Sequence, residues 1–600
     1  MILMAPGRLI SPLTAVTTLV ALEALRVAGT VSGASVTGAL AVGAVAALGG
    51  PLVWWLGSRA ALPAGLAAAA VARLVVQVPG AQVPLVAAVV AGLALGAVLL
   101  VARRSAPGPV ARAVALGVGA DVALRLPLSG LDPVWRGGAA GWAVALLSAA
   151  ALGAAAEYLR RHPVPAPDEP VGDAGLALLG PALALYGVLL GSPAVLAARA
   201  GLPWDVAGLW ITAGTALAVL ALTRPLPAVE RWVSPAVATA AVAVLLLVPS
   251  WPAAPAVLLT VAALPLLLRR TLALPLPAPL ATPLIGPALA GAGAGLGYAL
   301  VALPSASRVA FSSWAALVSL LVVAGIGCAA IAGTGPARVA PAALPGAFRS
   351  VVLAALLLAL PPLAGALRAV PEPLPTDTAG GMYRLMTWNI HYAVDRDGRL
   401  DPEAVLDVIR DSGAHVVVLQ EVPRGRAAAG GLDLRTWLER RLDVTAVWSP
   451  AGDRASGNLL LTGLPVTAAD TGVLPGERSH AVVDLRLTDG ETARVVTAHT
   501  GPDTAQHEPL LRALDGDPHA VLAGDLNSEP DSPEIAALLA AGLHSAQDGA
   551  DGLADRDTAV GPPRRVDWIL GGQDVAFGDV RLTRTDASDH LPLTATVYLD

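Results

Sequence analysis

Two hydrophobic patterns divide this chain. As far as residue 371, apolar residues run in stretches of about 20, the length that crosses a bilayer's hydrocarbon core. Thirteen such segments are readable, near 9–28, 34–56, 60–79, 82–102, 109–129, 137–157, 174–198, 203–223, 232–250, 252–268, 280–304, 311–334 and 350–370. They predict a helical membrane region, because a lipid-embedded backbone must satisfy its own polar groups. From Met382 the runs shorten to alternating or β-branched stretches separated by turns. "YRLMTWNI", "HVVVLQE", "NLLLT", "HAVVDLRL", "ARVVTAH", "HAVLAGD", "RVDWIL" and "LTATVYL" predict strands.

Three helices are expected among those strands. Asp401 with Pro402 is an N-cap and first helical residue, followed by an apolar face of Val405, Leu406, Val408 and Ile409. The others fall near 504–515 and 532–541. Many strands and few helices predict layered sheets with helices outside. The domains expected are a polytopic region over 1–371, a Pro-rich linker over 372–381 and a soluble domain over 382–600.

Composition sharpens the division. Charged residues are only 14% of the chain and mean hydropathy is +0.66, which points to an integral membrane protein. Residues 1–371 carry a net +11 and residues 372–600 a net −17. All 39 basic residues are Arg, and eight of nine His follow residue 372. The lone cysteine, Cys328, rules out an internal disulfide. With a cytoplasmic N-terminus, twelve arginines fall in same-side loops (Arg8, Arg59, Arg103, Arg104, Arg160, Arg161, Arg224, Arg231, Arg269, Arg270, Arg338 and Arg349). Only Arg26, Arg136, Arg199, Arg308 and Arg368 fall opposite. Thirteen spans and this asymmetry predict an extracytoplasmic C-terminal domain. Glu23, Arg26, Arg73, Arg112, Asp121 and Arg125 lie inside apolar segments and are expected to pair between helices or reach an interface.

The polar residues of the soluble domain gather at strand ends. Asn389 closes "MTWNIH", Glu421 closes "VVVLQEV", His499 closes "RVVTAHT", and Asp525 with Asn527 closes "VLAGDLN". Asp567 sits in "RRVDWIL", and Asp589 with His590 opens "SDHLPL". If the strands lie side by side, these ends share a cleft. Its chemistry would be that of a hard divalent cation with histidine proton carriers. No Cys/His cluster offers a zinc site, and no Gly-x-Ser-x-Gly elbow offers a serine nucleophile.

The ordered set "TWNIH", "LQEV", "GNLLLTGLPV", "TAHT", "AGDLN", "RVDWIL" and "SDHLPL" resembles the endonuclease/exonuclease/phosphatase superfamily, which includes deoxyribonuclease-like and neutral sphingomyelinase-like enzymes. The resemblance implies a four-layer α/β sandwich, two mixed β-sheets flanked by helices, following an all-α polytopic membrane region. It implies Mg²⁺ (or Mn²⁺) held by Glu421 with Asn389 and Asp589 nearby. His590 would be the base, oriented by Asp567, with Asp525 at the attacking water. Asn527 and His499 would hold phosphate oxygens and support the leaving group. Thr500 stands where Leu is usual in that family, and Thr462 and Gly463 where Ser and a basic residue are common.

A multispan region joined to such a domain is similar in architecture to the eukaryotic membrane protein that remodels GPI-anchor lipid. The expected function is a membrane-anchored Mg²⁺-dependent phosphoesterase, a phosphodiesterase acting on a membrane lipid or lipid-linked phosphate. The alternatives are a tethered extracytoplasmic nuclease, and a transporter or scaffold with a non-catalytic tail. A domain at net −17 without Lys lacks the basic footprint of nucleic-acid binding.

Overall fold

The computed structural model describes all residues except 1–5, 31–35, 56–59, 79, 81–83, 129, 136–137, 166–170, 225–226, 249, 278, 280–284, 307–310, 333–350, 360–370, 379, 453, 502 and 600. Arg59, Arg136, Arg308, Arg338, Arg349 and Arg368, and the end of the last predicted segment, lie outside the described residues. The chain forms two compact units, residues 1–367 with 425–432, and residues 368–424 with 433–600.

The first unit is helical: α1 (Pro6–Gly29), α2 (Val36–Trp55), α3 (Ala61–Val75), α4 (Pro84–Ala102), α5 (Pro107–Arg125), α6 (Gly138–Arg161), α7 (Asp173–Leu185), α8 (Pro193–Ala200), α9 (Trp204–Ala221), α10 (Glu230–Leu247), α11 (Ala253–Thr271), α12 (Ile285–Ala306) and α13 (Phe311–Ala332). Residues 351–359 are also helical. Among the described residues, eight helices are long and apolar enough to cross a membrane, the pattern of a multi-pass protein. The segment predicted over 174–198 is broken. After α7 comes a π-helical turn, Tyr186–Leu190, and Ser192 then caps α8 with Pro193 at its first position. A cap followed by proline starts a new helix rather than continuing the old one.

Small residues set the packing. A Cβ on Gly180 would collide with the Gly293 carbonyl oxygen, so α7 and α12 touch backbone to backbone, as small-residue membrane interfaces do. The ionisable residues inside the spans are mostly paired. Arg26 Nε donates to Asp132 Oδ2 at 2.8 Å and Arg26 Nη1 to Asp121 Oδ2 at 3.0 Å. Arg125 Nη2 donates to Asp121 Oδ2 at 2.9 Å, and Arg73 Nε lies 2.8 Å from Glu23 Oε2. Desolvating these charges is tolerable because opposite charges are desolvated together.

The second unit contains β1 (Met382–Asn389), β2 (Val416–Pro423), β3 (Thr445–Pro450), β4 (Ser456–Thr462), β5 (Val466–Leu474), β6 (Arg478–Arg486), β7 (Thr492–His499), β8 (Val521–Asp525), β9 (His544–Ser545), β10 (Ala559–Val560), β11 (Pro563–Arg564), β12 (Asp567–Gly571), β13 (Val575–Leu582) and β14 (Leu593–Leu599). Two six-stranded sheets form, in orders β13-β14-β1-β2-β4-β3 and β5-β6-β7-β8-β12-β9. Each is mixed, with one parallel pair: β1 with β2, and β7 with β8. Their inner faces share a core that includes Tyr383, Leu385, Val418, Leu460, Val483, Val495, Val521, Ile569 and Ala595.

Helices α14 (Pro402–Ser412), α15 (Leu434–Leu442), α16 (His507–Leu514) and α17 (Pro533–Ala540) flank the sheets. Leu510, Leu514, Ile535 and Leu538 bury the last two against the outer face of the second sheet. This is the four-layer sandwich. Asp401 caps α14 by accepting from Ala404 N at 3.0 Å. The expected linker is partly built into this unit. Glu372 N donates to Arg441 O at 2.8 Å, Leu374 is buried, and Thr378 and Thr488 exchange hydrogen bonds through their hydroxyls and amides.

Candidate active site

Both parallel pairs end at the same kind of place. The parallel pairing of β1 with β2 ends at Asn389 and Gln420, one residue before Glu421, and that of β7 with β8 at His499 and Asp525, which are register partners. Parallel neighbours require a crossover connection and bring two C-terminal ends side by side. β12 adds Asp567 directly opposite Asp525 across an antiparallel pair. The return to β14 supplies Asp589 and His590, and Ala559 bridges to His590.

The side chains then meet. His590 Nδ1 lies 2.7 Å from Asp567 Oδ2. Asn389 Nδ2 donates to Asp525 Oδ2 at 2.9 Å, crossing from the first sheet to the second. Asp525 Oδ1 accepts from Asn527 N at 2.9 Å, and its Oδ2 is 3.5 Å from His499 Nε2. Asn527 Nδ2 reaches Thr500 O at 2.9 Å and His499 Nε2 at 3.2 Å. So Asn389, His499, Asp525 and Asn527 form one connected group, and the Asp567–His590 pair lies against it, with ligand atoms of Asp525, Asp567 and His590 within 4.8 Å of one another.

Glu421 and Asp589 sit beside that group rather than within it. Glu421 is one residue past Gln420, the register partner of Asn389, where the β2–β4 register shifts. Its φ of 56° is left-handed, rare for a non-glycine residue, and a bulge of this kind re-aims a side chain. Its carboxylate is half-buried and takes no protein donor among the described residues. Asp589 Oδ1 lies 3.9 Å from His391 Nδ1, at the rim.

Two carboxylates, the free one at Glu421 and the half-exposed one at Asp589, together with the Asn389 amide, are the oxygen donors a hard divalent cation takes. The residues therefore fit a metal. Asp525, Asp567 and His590 are a second convergent set, with ligand atoms within 4.8 Å of one another. His590 Nδ1 is already bonded to Asp567, so this trio is organised for proton handling.

Electrostatics separates the two histidines. Burial opposes protonation of His590, but the Asp567 carboxylate, aided by Asp525 and Asp589, raises it to about 10. Burial lowers His499 to about 4, with Arg478 and His590 reinforcing and Asp525 opposing. Burial, then Asp567, raises the Asp525 carboxyl. His590 is thus held as an imidazolium against Asp567 at neutral pH while His499 stays neutral, the kind of divergence that marks acid–base roles.

The His590–Asp567 pair carries a stability prediction. His590 is raised above its unfolded value, so its contribution is complete below about pH 6.5 and disappears as pH rises through about 10. Asp567→Asn should cost about 3–5 kcal/mol at pH 7, as breaking a buried pair does, and flatten that alkaline loss. Denaturant unfolding of residues 368–600, followed by tryptophan fluorescence in chelator, checks this. A variant as stable as the parent would contradict the pairing.

Several supports were not readable beforehand. Trp388 Nε1 donates to His590 O and Trp568 Nε1 to Ser528 O, both at 2.9 Å, tying buried indoles to the site loops. Ser588 Oγ donates to Asn389 O at 2.7 Å. Arg478 Nη1 stands 2.8 Å from His499 Nε2, and its only sequence cue is a lone basic residue entering β6. Asn458 Nδ2 donates to Ser479 O at 2.7 Å, joining the sheets. The departures Thr500 and Thr462 are structural: the Thr500 hydroxyl donates to Leu526 O, and the Thr462 hydroxyl to His415 O at 2.9 Å. His391 N donates to Asn389 Oδ1 at 3.1 Å, which makes His391 a rim residue.

Residues 386–590 match the model of the Endonuclease/Exonuclease/phosphatase family. No curated protein matches the chain. Among solved structures, an endonuclease/exonuclease/phosphatase from Beutenbergia cavernae is 23% identical, with a TM-score of 0.32, covering 36% of this chain and 72% of that one. ANGEL2, a 2',3'-cyclic phosphatase, is 15% identical over 36% of this chain and 95% of its own, with a TM-score of 0.30. D. rerio TDP2, complexed with single-strand DNA product, is 18% identical over 36% of this chain and 98% of its own, with a TM-score of 0.30. With the motifs in order and their side chains gathered at the strand ends, residues 386–590 are a domain of the Endonuclease/Exonuclease/phosphatase family, a metal-dependent phosphoric ester hydrolase, in a chain with eight helices of membrane-crossing length among the described residues.

Proposed function

We propose that the protein is a membrane-anchored, Mg²⁺-dependent phosphoesterase that cleaves a lipid or lipid-linked phosphodiester at the extracytoplasmic face. The observation that carries this reading is the strand-end group itself, attached to a chain with eight membrane-length helices. Attachment to the bilayer raises the effective concentration of a substrate that lives there. The net −17 of residues 372–600 disfavours a polyanion such as DNA, which is bound chiefly by neutralising phosphates.

In this reading Asp525 orients a water against phosphorus and the neutral form of His590 accepts its proton, so turnover rises with pH through the His590 titration. Asp567 holds the imidazole in place and stabilises the imidazolium that forms. Asn527 and neutral His499 donate to the phosphoryl oxygens, whose charge grows as the oxygen–phosphorus bond forms and the leaving-group bond breaks. A divalent cation at Glu421, Asn389 and Asp589 would neutralise part of that charge.

The test uses full-length protein in nanodiscs with Mg²⁺, offered phospholipids, lipid-linked sugars, inositol phosphates and DNA in parallel. Turnover of a lipid phosphodiester at least tenfold above the soluble substrates is expected. Preferential DNA cleavage would replace this reading with a tethered nuclease, and no turnover on any substrate would replace it with a non-catalytic tail.

A further inference from the structure

Just beyond β1 the backbone is left-handed at three consecutive residues. His391, Tyr392 and Ala393 have φ of 44°, 57° and 60°, the one such run of non-glycine residues among the described residues. Each costs on the order of 1–2 kcal/mol, so a run of three persists only where the surroundings fix it. Ala393 is buried, its N–H donates to Ile390 O at 2.8 Å, and its carbonyl accepts from Asp401 N at 2.8 Å. Ile390 N in turn donates to Gln420 O at 3.2 Å. The turn is therefore fastened to the cap of α14 on one side and to the residue before Glu421 on the other.

What the turn holds at the cleft is His391. Its N–H donates to Asn389 Oδ1 at 3.1 Å, which sets the orientation of that amide. Its Nδ1 lies 3.3 Å from Val394 O, at the long end of hydrogen bonding, and 3.9 Å from Asp589 Oδ1, beyond it. The imidazole thus faces a carboxylate without bonding it. Two atoms that share a divalent ion, each at about 2.0–2.3 Å, stand roughly 3–4 Å apart, and His391 with Asp589 has that spacing. The turn also packs against the end of β2, from which Glu421 projects with no protein donor among the described residues.

We infer that His391, through Nδ1, is a further ligand of the divalent cation assigned to Glu421, Asn389 and Asp589. The ligand set then holds one nitrogen among its oxygens. Mg²⁺ favours oxygen alone, whereas imidazole suits ions further along the transition series, so the site should take Mn²⁺ well ahead of Mg²⁺. This rests on the reading that a cation sits at Glu421, and the experiment separates the two.

Full-length protein in maltoside, freed of any histidine tag, is titrated with Mn²⁺ and followed by electron paramagnetic resonance. The spin echo of the Mn²⁺ complex should carry the nitrogen modulation of a directly bound imidazole. Asn and Asp accept left-handed backbone as His does, so His391→Asn and His391→Asp should both fold. His391→Asn should lose the modulation and bind Mn²⁺ about tenfold or more weakly. His391→Asp should lose it too, yet keep the ion and lower the ratio of Mn²⁺ to Mg²⁺ affinity about tenfold in competition. Modulation that persists in His391→Asn, or a parent Mn²⁺ complex without it, would overturn the role of His391 and leave the cation in place. A parent that binds no Mn²⁺ would overturn both.

Discussion

His590→Ala should abolish phosphoester hydrolysis, lowering kcat by about 10³–10⁴ while the protein stays folded. The imidazole stands 2.7 Å from Asp567 and beside Asp525, placed to take the proton of the attacking water, and a positioned base contributes on the order of 10²–10⁴. Losing it also strands Asp567 as a buried carboxylate without its partner, which adds to the damage. The side chain sits at a strand end and outside both apolar cores, so secondary structure should survive. Steady-state kinetics beside a far-ultraviolet circular dichroism spectrum checks this. A folded variant that retains parental kcat would remove His590 from the reaction.

Glu421→Gln should have an effect of similar size through the metal. Glu421 projects from a bulge with left-handed backbone and engages no protein donor among the described residues, an arrangement that keeps a carboxylate open. The amide retains shape and removes the charge that a hard cation requires. Activity should fall about 10²–10³ at fixed Mg²⁺, as for loss of a major electrostatic element. The requirement for added Mg²⁺ should also move to higher concentration. In the parent, EDTA should abolish turnover, and Mg²⁺ or Mn²⁺ should restore it. Turnover that survives exhaustive chelation, or a variant with an unchanged Mg²⁺ requirement, would dissociate Glu421 from the metal.

How much of this was legible in the sequence follows burial. The eight predicted strands include β1, β2, β7, β8 and β12, the interior strands whose ends carry the chemistry and whose runs are apolar on both faces. The strands not predicted are mostly at sheet edges or are two-residue pieces. β3, β5 and β13 are edge strands, and β5 exposes most of its residues, so it shows neither a run nor a clean alternation. α15 was also missed. Asp433 caps it by accepting from Thr436 N at 3.1 Å, but its arginines and glutamate blur the apolar stripe of Leu434, Trp437 and Leu438.

The candidate residues were legible because each sits at the polar end of an apolar run. Their partners were not. That Asn389 bonds Asp525 across 136 positions, and that Arg478 packs on His499, are properties of register and sheet order. Local patterns carry no record of either. The π-helical break in the segment over 174–198 was hidden for the opposite reason, since Gly191 and Ser192 interrupt the apolar run too briefly to register.

The central claim is that residues scattered over 200 positions act as one catalytic unit. It is tested most directly by combining Asp525→Asn with His590→Ala and comparing the rate with each single variant. Groups that serve one transition state are strongly non-additive. The double variant should be no more than about tenfold slower than the slower single variant. Rate losses that multiply, or single variants that leave turnover intact, would contradict a shared site.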